Sequence, residues 1–96
     1  MLENRAGMNL TFAPSYIRDY QRLPQRIQKQ TDRKLRFLLQ NPFHPSLRTR
    51  KVEGEVLGFR DVYEGSVTMN YRYLFRIVGN TYELLRIGTH TQIFGR

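Results

Sequence analysis

The stretch TMNYRYLFRIVGNTYELLRI, Thr68 to Ile87, constrains the fold most. Apolar and polar residues alternate on both sides of Gly79-Asn80, the two-residue period of half-buried strands, and glycine and asparagine accept the positive φ of a tight turn. The stretch therefore predicts an antiparallel hairpin. Because side chains alternate across a strand, Met69, Tyr71, Tyr73, Phe75 and Ile77 are expected on one face, against a core. Asn70, Arg72, Leu74 and Arg76 are expected on the other. In the second strand Leu85 and Ile87 suit the core, while Arg86 shares its parity with His90.

The rest of the chain supplies the partners for this hairpin. Met8 to Phe12 alternates as a strand would, and Pro14-Ser15 opens a helix whose Tyr16, Ile17, Tyr20 and Leu23 share a face. Pro24 pushes Leu23 out of the helical region and starts a second helix. In that helix Ile27, Thr31, Leu35, Leu38 and Leu39 form one stripe, with Arg26, Lys29, Arg33 and Arg36 mostly opposite. Asn41-Pro42 ends it, and a rigid loop with two prolines surrounds His44. Leu47 to Val52 reads as a short strand and Gly54 and Gly58 as the frame of a turn. Phe59 to Glu64 reads as another strand, with Glu64-Gly65-Ser66 as its hairpin turn. The expected fold is α+β: an N-terminal strand, a two-helix hairpin, then an antiparallel sheet of three to four strands.

Ninety-six residues suit one domain over 1–96, with residues 1–7 as a flexible leader and Met8 as an alternative start. The opening residues hold no apolar run suited to a signal peptide, and no later stretch approaches the roughly 20 apolar residues of a membrane span. A cytoplasmic protein without membrane contact is the expectation. The absence of cysteine excludes disulfides and thiolate chemistry. Two histidines without a carboxylate cluster argue against a metal site, and no cofactor is expected. The net charge is +8, and it is uneven: Arg18 to Lys51 carries ten basic residues against two acidic ones. A concentrated basic half points to a polyanionic partner.

If the last two strands pair around Gly79-Asn80, then Arg72, Arg76, Arg86 and His90 share the helix-free face, rimmed by Tyr63 and Phe94. Arginines suit phosphate, aromatics suit bases, and a histidine suits proton transfer, so the composition fits RNA. Cleaving RNA requires no cofactor, because its own 2′-hydroxyl can attack the adjacent phosphate. The protein must then move two protons and stabilise the charged phosphorane. Each residue also has a packing alternative: His90 as a strand-end side chain bonded to a backbone carbonyl, Phe94 as a core plug, and the arginines as solubilising groups.

The segments LPQRIQ, NPFHPSLR, Lys51 to Gly54, GFRDVY, NYRYLFRI and LLRIGTHTQIF follow one another in an order that resembles the RelE/ParE superfamily of type II toxins, most closely its YafQ-like ribonuclease branch. The ending Gly88-Thr89-His90 with Phe94 is the most specific element. The resemblance implies a messenger-RNA interferase that cuts transcripts in the ribosomal A site, contacts ribosomal RNA and is neutralised by a cognate antitoxin. It implies catalytic roles for His90 and Arg72, with Phe94 supporting the site. Where the branch carries further histidines this chain has Arg50 and Tyr63. The implied site is therefore a hybrid that adds Arg60 and Tyr63 to the catalytic set, with Arg48, Arg50, Lys51, Arg76 and Arg86 on RNA. Asp61 is a further candidate, with pairing to a neighbouring arginine as its alternative. The rival expectation is a ParE-like toxin that poisons DNA gyrase without cutting RNA.

Overall fold

The computed structural model describes residues 7–95, so the expected leader lies outside the described residues except for Gly7. The chain runs as strand β1 (Asn9–Phe12), helices α1 (Pro14–Gln21) and α2 (Gln25–Gln40), a 3-10 turn (Pro45–Leu47), strands β2 (Arg50–Lys51), β3 (Val62–Ser66), β4 (Tyr71–Val78) and β5 (Thr81–Thr89), and helix α3 (His90–Phe94). Five strands form one sheet in the order β1-β5-β4-β3-β2. The four later strands pair antiparallel, as expected, and β1 adds to the edge parallel to β5. No helix among the described residues is long and apolar enough to cross a membrane.

Two proline fences set the helices. Pro14 occupies the first turn of α1, where its fixed φ costs nothing, and Pro24 separates the two helices. The stripe Ile27, Thr31, Leu35 and Leu38 is buried, and the Thr31 hydroxyl donates to the Ile27 carbonyl at 2.7 Å. That bond removes the penalty of burying a hydroxyl. On the helical side of the sheet Tyr16, Leu35, Leu38, Leu47, Tyr73, Phe75, Tyr82, Leu84 and Ile87 close into the main core. Each such side chain contributes about 1.5–3 kcal/mol of transfer free energy.

The opposite face is not bare. Val62, Leu74, Leu85 and Ile93 form a second cluster there, packed with Val52, Val56, Phe59 and Phe94. It exists because the β4–β5 ladder slips: Leu74 faces Arg86, but Phe75 faces Leu84, which leaves Leu85 as an extra residue. A bulge of this kind reverses the alternation. Leu84 and Leu85 therefore bury on opposite faces, and Leu85 does not join Ile87 on the helical side.

Three strand expectations need correction. Leu57 and Asp61 adopt left-handed backbone with φ of 52° and 58°, so the extended run begins at Val62 rather than Phe59. Glu64-Gly65-Ser66 is the body of β3, not a turn. Gly65 faces Tyr73, and a Cβ at position 65 would lie 2.2 Å from the tyrosine ring; the glycine is there for close approach. The chain instead reverses over residues 67–70, where Met69 is 86% exposed rather than buried. Leu47 to Val52 supplies only the two-residue β2, because Pro45–Leu47 winds into the 3-10 turn.

Candidate active site

Register decides which side chains meet. Arg50 pairs with Glu64, Glu64 with Leu74, Ser66 with Arg72, and Arg72 with Gly88. Paired residues share a face, so Arg50, Glu64 and Arg72 lie with Leu74 on the side away from α1 and α2. There the Glu64 carboxylate is buried, 4% exposed. Its Oε1 stands 2.6 Å from Arg50 Nη2 and its Oε2 3.5 Å from Arg72 Nε. The Arg50 contact is an ion pair without a directed hydrogen bond. Arg72 Nη1 also donates to the carbonyls of Thr68, at 2.5 Å, and Tyr71, at 3.3 Å.

His90 follows two residues after the Gly88 that faces Arg72, and it opens α3. Thr89 caps this helix through a reciprocal pair: Gln92 N–H donates to Thr89 Oγ1 at 3.2 Å, and Thr89 N–H donates to Gln92 Oε1 at 2.8 Å. The cap turns His90 outward, where it is exposed, and brings its ring against Phe94 with centroids 4.6 Å apart. Phe94 in turn packs on the second cluster. A polar cleft of about 490 Å³ flanks Arg72, lined also by Lys34, Ser46, Arg48, Ser66 and Thr68. Arg48 enters it from left-handed backbone at φ 50°, and Lys34 Nζ is held by the Ser46 carbonyl at 3.1 Å.

The other expected site residues are dispersed. Tyr63 lies on the helical side, stacked on Phe75 at 5.5 Å and edge-on to Phe43 at 6.4 Å, because alternation along β3 turns it away from Glu64. It does not rim the face that carries Arg72. Arg60 is exposed in a separate cleft with Lys51 and Asp61. Asp61 pairs with Lys51 at 3.1 Å, not with an arginine, and this contact raises the lysine's pKa. Arg76 and Arg86 share the face of Arg72 by register but are engaged internally. Arg76 binds Glu83 at 2.6 Å and covers the Phe59 ring, while Arg86 binds Asp19 at 2.5 Å. Asp19 also accepts from Ile87 N–H at 3.1 Å, so this pair fastens α1 to β5. His44 is a loop residue, stacked on Phe37 at 4.4 Å with its Nδ1 near Ser46 N–H at 3.1 Å.

Two site residues escape a reading of the sequence. Glu64 is hidden by its place in an apparent turn, although the alternation Val62, Glu64, Ser66 was the available signal. Lys34 belongs to a charged helix and reaches the cleft only through tertiary packing. The assembled chemistry is a cationic cluster around Arg72, with an imidazole at the start of α3, two residues past the Gly88 that faces Arg72. Such an arrangement can bind a phosphodiester, stabilise added negative charge on it and exchange a proton beside it.

Known structures share this architecture. YafQ from E. coli strain BL21(DE3) superposes with a TM-score of 0.76 at 12% identity, covering 92% of this chain and 99% of its own. The YoeB/ParE toxin from Agrobacterium tumefaciens gives 0.71 at 20%, covering 86% and 99%. The RelB-RelE antitoxin-toxin complex from Methanococcus jannaschii gives 0.69 at 21%, covering 88% and 95%. At these identities the likeness is one of fold. No curated protein sequence matches the chain. A family model does, over residues 10–94, and by that match the chain belongs to the ParE toxin family of type II toxin-antitoxin systems, within the RelE/ParE superfamily.

Proposed function

We propose that this toxin is a ribosome-dependent mRNA endoribonuclease that acts in the cytoplasm and inhibits translation. The observation that carries the reading is the cation-lined cleft beside Arg72, with His90 opening α3 two residues beyond the Gly88 that faces Arg72 across the β4–β5 ladder. In the proposed reaction a substrate 2′-hydroxyl attacks the neighbouring phosphorus and the 5′-oxygen leaves. Arg72, with Arg50 and Arg48 nearby, stabilises the phosphorane. His90 transfers one of the two protons, and Phe94 braces its ring. A cognate antitoxin is the second partner, in keeping with neighbours of this fold that were solved as RelB-RelE and DinJ-YafQ complexes. Its segment should occlude the Arg72 face or the helical layer.

The test is a map of mRNA 5′ ends after brief induction, with His90→Ala as control. We expect new ends inside translated frames, reduced about a hundred- to ten-thousand-fold in the variant. Cleavage by a folded His90→Ala at the wild-type rate would remove His90 from the mechanism. The second reading, a non-nuclease toxin that binds DNA gyrase, is favoured by the ParE description of the matching family. It predicts DNA damage and growth arrest with no cut transcripts.

A further inference from the structure

We infer that Glu64 is a positioning residue for the proposed cleavage: its buried carboxylate holds Arg72 and Arg50, from the strands on either side of β3, as one oriented cationic pair. This inference rests on the nuclease reading above. Glu64 has no packing reason to be acidic. Its neighbours along the same face, Val62 and Leu74, are buried hydrocarbons, and an apolar residue there would avoid the cost of desolvating a carboxylate. What it does meet is two guanidinium groups, Arg50 at 2.6 Å and Arg72 at 3.5 Å. Without the carboxylate those two cations would repel each other across the strand between them. With it, the three groups carry one net positive charge, which a phosphodiester can neutralise.

The details favour orientation over proton transfer. Arg72 is gripped along one edge, Nε toward Glu64 and Nη1 to the Thr68 and Tyr71 carbonyls. Its Nη2 makes no hydrogen bond among the described residues, so both of that nitrogen's protons are available to a phosphate. Glu64 itself is 4% exposed and lies behind the arginines, out of reach of a substrate hydroxyl. It therefore acts through Arg72, whose planar fork makes direction matter more than charge alone.

The test is single-turnover cleavage of mRNA on programmed ribosomes by wild type, Glu64→Gln, Arg72→Ala and the double variant, each checked for cooperative melting. Glu64→Gln should lower the rate constant at saturating toxin about ten- to hundredfold. The half-saturating concentration should stay level or fall, because a negative charge has been removed. In the Arg72→Ala background the same change should cost less than about twofold, since the two residues act as a unit. A folded Glu64→Gln that cleaves within about twofold of wild type, or losses that multiply in the double variant, would overturn the inference. Should Glu64→Gln not fold, Glu64→Asp keeps the charge but withdraws it by one methylene. It is expected to show a partial loss that also disappears without Arg72, and full activity of that variant would equally overturn the inference. A wild-type protein that cuts no mRNA would overturn the nuclease reading itself, a result separable from all of these because no variant enters it.

Discussion

Gly65 and Tyr73 occupy space that one additional carbon cannot share. With a Cβ only 2.2 Å from the ring, Gly65→Ala must move either the tyrosine or the β3 backbone. Overpacking of this kind costs about 1–3 kcal/mol. A lower urea midpoint with an unchanged m-value is expected, and an unchanged midpoint would mean that the approach is looser than described. Tyr73 is informative in a second way. Burial raises its pKa and that of Tyr16 well above the usual tyrosine value, with Asp32 adding to the effect on Tyr16. A raised folded-state pKa keeps each hydroxyl protonated in the native state after it would ionise in the unfolded chain. The stability it contributes is complete below about pH 10 and declines as pH rises from there toward the folded-state pKa, by about 1.4 kcal/mol per pH unit for each tyrosine. Thermal melts should therefore fall steeply above pH 10 and less steeply in Tyr73→Phe; identical alkaline profiles would contradict this.

At the scale of elements, α3 is the weakest piece and carries the imidazole. Five residues (His90–Phe94) cannot hold a helix by propensity alone; the Thr89–Gln92 cap and the Ile93 anchor hold it. Thr89→Ala removes about 1 kcal/mol from that helix. Faster amide exchange over residues 90–94 is expected with little shift of the global melt, and unaltered exchange would show that Ile93 alone suffices. The cap was readable in advance as T-x-x-Q, yet the run before it reads so strongly as strand that the last turn is easily taken as its tail. Elsewhere the helices were legible because Pro14, Pro24 and Pro42 fence them and the apolar stripe has helical spacing. The β4–β5 hairpin was legible from Gly79-Asn80, and with it the pairing of Arg72 with the strand end that leads into His90. What stayed hidden depended on pairings between distant residues. A glycine in sequence marks a turn or a close contact alike, and only Tyr73 on the next strand tells which applies at Gly65. The left-handed backbone at Asp61 sets the start of β3 and with it the face of Tyr63, while the ambiguity at Gly65 misplaced the strand's end. That ambiguity also concealed Glu64. The bulge at Leu85 leaves no local trace, since two adjacent leucines fit either parity.

Over the whole molecule, charge is sorted by the fold. The carboxylates of Asp19, Asp61, Glu64 and Glu83 are each joined to cations on or beside the sheet, so the sheet side is largely compensated outside the Arg72 cleft. On α2, Arg26, Lys29, Arg33 and Arg36 are exposed and form no ion pair among the described residues. The surplus of the +8 net charge therefore concentrates on a face of α2 that, Lys34 apart, lies outside the Arg72 cleft, which suits docking to a polyanion rather than reaction with it. Docking by charge releases counterions and so weakens with salt, with a slope in log–log form of about 0.7 to 0.9 per phosphate contact. Replacing Arg33 and Arg36 together by alanine should lower the salt slope of ribosome association by roughly 1.4 to 1.8. Cleavage at saturating toxin should be unaffected, because neither residue lines the cleft beside Arg72. A slope that does not change would mean that α2 faces away from the ribosome, and the docking surface would then have to be the Arg72 face itself. In that case affinity and catalysis would decline together in Arg48→Ala and Arg50→Ala, and the two surfaces could be told apart by the same titration.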